Sequence, residues 1–227
     1  MDNREIGRLL SIMFQAHPWH GISPDERCPE KVQAFIEIVP TDTVKYEVHK
    51  PSGHLHIDRP QSFSSMCPTL YGFIPQTYCG PHVADVCERR VNRQNIVGDG
   101  DPLDICVITE RPINQGNILL NARPIGGMRM IDHNEADDKI IAVLDDDLAY
   151  GKFKDISDCP KPIIDRLKHY FLSYKQLPDE PEHLVTIAEV YDIVSAHEVI
   201  DASIKDYVEN YGAPGERMGQ LQELLNR

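Results

Sequence analysis

Three aspartates lie within six positions in the stretch GDGDPLDICVI, residues 98–108. They are Asp99, Asp101 and Asp104, and an apolar run follows the last of them. Carboxylates that share one site without a cation repel each other, so at least one of them becomes protonated. A bound divalent metal removes that repulsion. This spacing therefore indicates a metal site with carboxylate ligands.

A second acidic group, between two predicted strands, comprises Asp132, Glu135, Asp137 and Asp138, and Lys139 follows it directly. Two carboxylate clusters at the ends of separate strands can converge on one end of a barrel. Ligands that are all oxygen favour hard cations, Mg²⁺ first, which keeps several waters and binds few carboxylates. Several such ions lower the pKa of a bridging water and neutralise a polyanionic substrate.

The first cluster has three alternatives to a magnesium site. An isolated D-x-D triplet is more often a solvated turn than a metal site. A calcium loop that starts at Asp99 has Glu110 at its twelfth position, but Asp104 occupies the sixth, where that loop requires glycine. A phosphatase that forms an aspartyl-phosphate requires an apolar strand before the first aspartate, and NRQNIVG is a poor one. The calcium loop is therefore excluded, and the aspartyl-phosphate phosphatase is disfavoured.

Composition limits the function further. The chain has 227 residues, 41% of them hydrophobic and 26% charged, which is typical of one globular domain with appendages. Its net charge of −13 disfavours nucleic acid as a partner. No apolar run approaches the roughly 20 residues of a membrane helix, and the N-terminus lacks the features of a signal peptide. Six cysteines without a CxxC pair predict free thiols and a cytoplasmic protein.

Periodicity predicts short strands followed by helices. An N-terminal helix is expected over 3–16 and a turn-rich linker over 17–30. Two helices are expected over about 160–175 and 201–211, with a helical tail at 216–226. The predicted strands cover residues 32–40, 44–50, 54–58, 104–109, 118–132, 139–145 and 185–194. The pattern predicts a small antiparallel barrel with helices outside it.

The motif DGDPLDI resembles the signature of the soluble family I inorganic pyrophosphatases, D-x-D-P-hydrophobic-D-hydrophobic. Four further segments resemble that family in the same order, and the likeness covers about residues 35–178. They are residues 36–59, 68–75, 122–143 and 169–177. The resemblance implies an α+β protein with a mainly β core, an OB-like five-stranded barrel with flanking helices. It also implies Mg²⁺-dependent hydrolysis of inorganic pyrophosphate to two phosphates, with Mn²⁺ or another divalent ion as a substitute.

The same resemblance implies roles for the aspartates. Asp99, Asp104 and Asp137 match the carboxylates that hold two metals around the nucleophilic water. Asp132 and Asp137 match those that hold a metal brought in with the substrate. Asp101 matches the general base for that water.

Six further residues match the groups that grip the phosphates and, with Asp101, make up the predicted catalytic set. They are Lys45, Arg59, Tyr71, Lys139, Tyr174 and Lys175. Glu37 and Glu47 match acidic positions that act through water. This is the chemistry of phosphoryl transfer, in which cations and hydrogen-bond donors spread the charge of the transition state. Each residue also has a purely structural alternative: Lys45 and Glu47 alternate along a strand, and Tyr174 lies on an apolar helix face.

The chain departs from the family pattern at two places. Cys67 stands where the family often has a tyrosine near the substrate. The connection over residues 76–98 is long and contains Cys79, His82 and Cys87, which suggest zinc. Their irregular spacing and the lack of a fourth ligand favour a structural loop instead. We expect this loop to be peripheral, so that deletion of most of residues 80–95 leaves the barrel intact.

The resulting domain organisation is an N-terminal helical extension and linker (1–30), a barrel domain (31–200, with the insertion 76–98) and a C-terminal helical tail (201–227). The N-terminal 30 residues and the C-terminal part from about residue 179 are expected to build a homo-oligomer interface. Two rival functions remain at this point: a catalytically silent OB-like binding module and a metal-dependent phosphatase for organic phosphates. Low aromatic content (7%) and negative charge disfavour the binding module.

Overall fold

A computed structural model describes residues 16–62, 64–175, 185–213, 219 and 223 of the chain. Almost all of the helix predicted over 3–16 and of the tail predicted over 216–226 lies outside these residues. Residues 16–31 form turns without a regular element, as the linker prediction requires. They are not loose, however, because Trp19 is buried and its indole N–H donates to Thr77 O at 2.7 Å.

Five strands pair in a closed ring, which confirms the predicted OB-like arrangement. Each strand hydrogen-bonds to the next, and the last pairs again with the first. All pairs are antiparallel except that of β6 (Asp104–Ile108) with β9 (Lys139–Leu144). In order around the ring the strands are β1 (Val32–Ile38), β4 (Leu70–Phe73), β6 (Asp104–Ile108), β9 (Lys139–Leu144) and β7 (Ile118–Asp132).

The remaining strands extend this ring. The hairpin of β2 (Val44–Val48) and β3 (Leu55–Pro60) forms a separate two-stranded sheet, and β10 (Val185–Tyr191) pairs with β7. Two short strands, β5 (Val97–Gly98) and β8 (Glu135–Ala136), pair with each other. β8 also pairs with the end of β7, so the two acidic segments of the sequence lie side by side.

In the described part of the chain, three helices of eleven residues or more pack on the strands. They are α1 (Pro81–Val91), α2 (Lys161–Ser173) and α3 (Ile193–Tyr211), and a 3₁₀ turn (Ile156–Asp158) precedes α2. None of the helices in the described part of the chain has the length and apolar composition required to span a bilayer. α3 begins eight residues before the predicted start of its helix and therefore crosses the proposed domain boundary at residue 201.

The insertion is part of the core, so the expectation of a peripheral loop was wrong. Residues 81–91 form α1, and its Val83, Val86 and Cys87 are buried in one apolar cluster with ring strands and α3. These three side chains recur at positions i, i+3 and i+4, which places them on one face of a helix. Deletion of residues 80–95 would expose that cluster to water.

Candidate active site

One cavity of about 210 Å³ collects every residue predicted to bind metal, bind substrate or act as base. The eleven residues come from both acidic segments, the hairpin, β4 and the end of α2. They are Lys45, Arg59, Tyr71, Asp99, Asp101, Asp104, Asp132, Asp137, Lys139, Tyr174 and Lys175. The sequence motifs therefore converge in space, although they are up to 130 positions apart along the chain.

The ring strands bring the two acidic segments to one end of the fold. β6 and β9 are parallel, with their first residues Asp104 and Lys139 in register, and both start at the cavity. β7 is antiparallel to β9, so it ends at the cavity with Asp132. β4 contributes Tyr71, whose hydroxyl donates to Asp104 Oδ2 at 2.6 Å.

The Lys139 ammonium lies between two of the carboxylates. It donates to Asp104 Oδ2 and to Asp137 Oδ1 and is almost completely buried. Burial disfavours its charge, but the two carboxylates outweigh that effect and hold the pKa of Lys139 well above its usual value. Asp104 and Asp137 are thus close enough to share one cation.

The cavity contains more negative charge than its own cations neutralise. Six acidic side chains line it (five Asp and one Glu) against four basic ones. Burial, followed by the nearby charge of Asp137, raises the pKa of Asp99 to about 8. Burial also raises the pKa of Asp104, although Lys139 opposes the shift. An added cation would remove this cost, and the oxygen donors suit a hard divalent ion.

Within the described residues, no group of three or more His, Cys, Asp or Glu side chains is arranged as a finished metal site. The aspartates instead pair with lysines, as Asp132 does with Lys175 at 2.5 Å. Two of the three residues that suggested zinc in the insertion have these surroundings: His82 Nε2 pairs with Glu209 Oε2 at 3.0 Å, and burial raises the pKa of Cys87 to about 12.

The hairpin and α2 place cationic side chains on the cavity wall. Lys45 of β2 and Arg59 of β3 are register partners on adjacent strands. Both contact Asp58: Lys45 Nζ lies 3.0 Å and Arg59 Nη1 3.1 Å from Asp58 Oδ2. At the end of α2, Lys175 Nζ lies 5.4 Å from the centre of the Tyr174 ring. Cations on separate elements can contact an anion from different sides.

Glu37 and Glu47 do not line the main cavity but a smaller adjoining one of about 80 Å³, which they share with Asp101 and Asp104. Glu37 is buried, and its Oε1 accepts the Val48 N–H at 2.6 Å. Burial raises the pKa of Glu37 to about 8. Glu47 is more exposed and pairs with Lys45 at 2.9 Å.

The structure adds residues that the sequence did not single out as site residues. Lys50 pairs with Asp101, and Tyr170 lines the cavity one helical turn before Tyr174. Tyr170 and Tyr174 are four residues apart and therefore share one helix face, a pattern from which Tyr170 could have been predicted as a site residue. Cys67 is buried in the apolar cluster of α2, where burial raises its pKa to about 12. It brings no charge to the cavity.

Known proteins with related sequences and folds are inorganic pyrophosphatases. The family model described as inorganic pyrophosphatase matches residues 34–208. The inorganic pyrophosphatase of Chlamydia trachomatis serovar L2 is 51% identical over 196 residues, which cover 85% of this chain and 94% of that protein. Soluble inorganic pyrophosphatase 2 of Chlamydomonas reinhardtii is 36% identical, over 86% of this chain and 91% of that protein.

Solved structures agree with the sequence comparison. The inorganic pyrophosphatase of Thermus thermophilus superposes with a TM-score of 0.71 at 27% identity, and covers 85% of this chain and 99% of its own. The Helicobacter pylori enzyme superposes with a TM-score of 0.66 at 32% identity, over 82% and 96%. The family match, the relatives and the shared ring of strands lead to one conclusion: this chain belongs to the soluble family I inorganic pyrophosphatases.

Proposed function

We propose that this inorganic diphosphatase hydrolyses inorganic pyrophosphate to two phosphates with Mg²⁺, and that Asp101 is the general base. The observation that carries the proposal is the convergence of four predicted metal-binding aspartates and six predicted phosphate-binding groups in one cavity. Relatives 51% identical to this chain are named inorganic pyrophosphatases, which supports the choice of substrate.

Asp99, Asp104, Asp132 and Asp137 would hold the metal ions. Their donor atoms are all oxygen, and the shared contact with the Lys139 ammonium supports a cation position between Asp104 and Asp137. When bound, Mg²⁺ lowers the pKa of a coordinated water and neutralises phosphate charge, and Mn²⁺ or another divalent ion can substitute for it.

Asp101 suits the role of base because it differs from its two neighbours in exposure. Its carboxylate is about half exposed at the cavity wall, where it pairs with Lys50, whereas the Asp104 carboxylate is held by Tyr71 and Lys139. A base must reach the proton of the attacking water and then release it. The exposure of Asp101 supports this role, because accepting a proton there breaks no buried contact.

The six remaining groups bind the phosphates from three sides. Lys45 and Arg59 approach from the hairpin, Tyr71 and Lys139 from the ring, and Tyr174 and Lys175 from α2. Such fixed donors stabilise the charge that spreads over the transferred phosphoryl group, which leaves little covalent work for side chains.

Phosphate release from purified protein tests this function. Pyrophosphate, a nucleoside triphosphate and a sugar phosphate are compared at equal concentration, each with Mg²⁺ and with excess chelator. We expect hydrolysis of pyrophosphate only with the metal, and a loss of kcat/KM equivalent to about 2 kcal/mol or more in Arg59→Ala, because a charge-assisted contact is removed. Activity that survives chelation, or a preference for an organic phosphate, would refute the proposal.

We also propose that the protein acts in the cytoplasm as a homo-oligomer. All six cysteines are free, which suits a reducing compartment. Of the segments expected to build the subunit interface, residues 16–30 and 185–213 are described. Light scattering on the whole chain measures the assembly directly, and a monomer at micromolar concentration would contradict the oligomer.

A further inference from the structure

The backbone that carries the first aspartate cluster is held by the residues just before α1. Gly100 N–H donates to Cys79 O at 3.0 Å, and Cys79 N–H donates to Asp101 O at 2.8 Å. Leu103 N–H donates to Thr77 Oγ1 at 2.9 Å. Three hydrogen bonds thus tie residues 100–103 to residues 77–79, directly between Asp99 and Asp104.

This contact is too close for a larger side chain. A Cβ atom on Gly98 would lie 2.2 Å from Cys79 O, and Gly100 has a φ of +76°, in the left-handed region that favours glycine. The aspartate segment therefore follows the position of residues 77–80, and a shift of those residues moves the carboxylates.

A single carboxylate of α3 holds those residues in turn. Asp206 is buried, and it accepts three backbone N–H groups: Gly80 at 3.0 Å, His82 at 2.9 Å and Val83 at 3.0 Å. Gly80 is the N-cap of α1 and has no side chain to cap the helix itself. Asp206 therefore satisfies N–H groups that the start of a helix leaves unpaired, where the helix dipole also favours an anion.

A second bond joins the same two regions. Tyr78 N–H donates to Ser203 O at 2.9 Å, one helical turn before Asp206. α3 thus holds residues 78–83 at two points. Cys79, within that stretch, makes two of the three bonds to residues 100–103, and Thr77, directly before it, makes the third. The chain of contacts runs without a gap from α3 to the backbone between the predicted metal ligands.

We propose that Asp206 is a positioning residue for the metal site, which fixes the aspartate segment through the N-terminal end of α1. The proposal rests on the proposed function, because it takes Asp99 and Asp104 as metal ligands. Asp206 itself contacts neither metal nor substrate. A carboxylate is required since one atom, Oδ2, accepts two N–H groups while Oδ1 accepts a third. An asparagine would turn an NH₂ group toward at least one of these donors.

Asp206→Asn tests the proposal by two measurements that do not depend on turnover. Calorimetric titration should show Mg²⁺ affinity reduced about tenfold, the scale found when groups that orient metal ligands are changed. Hydrogen exchange of metal-free protein should be faster over residues 97–104 than in the parent. Pyrophosphate hydrolysis should recover when Mg²⁺ is raised in proportion.

Val199→Ala is the matched control. Val199 is buried in α3 in the main apolar cluster, so its truncation lowers stability without removing a bond to residues 77–83. It should lower the melting temperature but leave Mg²⁺ affinity and the exchange of residues 97–104 unchanged. If Asp206→Asn behaves in the same way, Asp206 only stabilises the fold and the proposal is wrong.

Asp104→Asn separates this proposal from the proposed function. If Asp104→Asn leaves Mg²⁺ affinity unchanged, the metal site itself is misplaced. If Asp104→Asn weakens binding and Asp206→Asn does not, only the positioning role fails. Should Asp206→Asn not fold, Thr77→Val against Thr77→Ser gives the same measurements, because valine removes the acceptor for Leu103 N–H and serine keeps it. Equal Mg²⁺ affinity in these two variants would overturn the proposal.

Discussion

At the scale of single residues, environment separates side chains of the same chemical type. Asp101 and Asp104 are three positions apart. Asp101 is about half exposed and pairs with an equally exposed lysine, whereas Asp104 contacts a tyrosine and a buried lysine. The sequence predicts both as site residues but does not show how far each side chain is exposed to solvent. Their different surroundings are set by the fold, in which Gly100 bends the backbone before both residues with a φ of +76°.

The division of labour between these aspartates can be measured. We expect Asp104→Asn to weaken Mg²⁺ binding, because it removes a buried ligand charge. Asp101→Asn should bind Mg²⁺ and substrate almost as the parent does, but lose kcat by about 10²-fold or more and change its pH–rate profile. Mg²⁺ calorimetry and pH profiles of both variants decide the matter. A near-normal rate in Asp101→Asn would contradict the role as base.

Glu37 should make stability depend on pH in metal-free protein. Burial raises its pKa from 4.5 to about 8, so the folded state binds the proton more tightly than the unfolded state. Its stabilising contribution is present below pH 4.5 and is lost as the pH rises through 8. Glu37→Gln keeps the acceptor for Val48 N–H without the charge. We expect this variant to unfold with a larger free energy than the parent at pH 9.

Urea denaturation in chelator at pH 5, 7 and 9 provides the comparison. The two proteins should differ little at pH 5, and the difference should grow as the pH rises toward 8 and then level off. Titrating groups such as Asp99 are present in both proteins and cancel in the difference. A difference in stability that does not change with pH would show that Glu37 is ionised in the folded state.

At the scale of elements, periodicity predicted the strands better than the helices. The strand over 118–132 has the predicted bounds, because its buried run ends at turn residues on both sides. α1 was missed since Pro81, histidine and arginines obscure a narrow apolar face. The start of α3 was misplaced because apolar residues continue directly from β10 into the helix. The boundary between the two elements is Asp192, whose side chain caps the helix by accepting Ser195 N–H. β4 is only four residues long and contains Gly72, so its pattern was too short to detect.

Burial of α1 can be tested with one substitution. Val83→Ala removes two methyl groups from the main cluster and should lower the free energy of unfolding by about 2 kcal/mol. His82→Ala is the control on the neighbouring position, because it removes only a surface pair with Glu209 and should change stability by about 0.5 kcal/mol or less. Equal effects of the two substitutions, measured by urea denaturation, would mean that α1 lies loosely on the barrel.

At the scale of the whole molecule, the resemblance of the motif DGDPLDI to the pyrophosphatase family predicted more about fold and function than composition did. Net charge and length excluded classes of function but did not show which residues meet in one cavity. Segments from residue 45 to residue 175 converge there only because the strands close into a ring. The roles of Lys50 and Asp206 had no local signal. Their partners lie 51 and more than 120 positions away, and a single sequence does not report such contacts.

Mg²⁺ should stabilise the folded protein, because it binds the carboxylates only where the fold brings them together. At a free concentration 100 times its Kd, the gain is about 2.7 kcal/mol. For a chain of this size that raises Tm by roughly 5–10 °C. Thermal melts with Mg²⁺, with Na⁺ at equal ionic strength and with chelator measure the effect. The same shift in Asp104→Asn would place the stabilising ion elsewhere on the surface.

The bonds from Asp206 to Gly80, His82 and Val83 also set a constraint on biosynthesis. Chains are made from the N-terminus, so the aspartate segment leaves the ribosome about one hundred residues before the helix that supports it. Contacts of such long range form late and slow folding. A nascent chain that stops short of residue 206 has all the carboxylates that are predicted to bind metal but lacks this support, and it acquires the support only after α3 has been made.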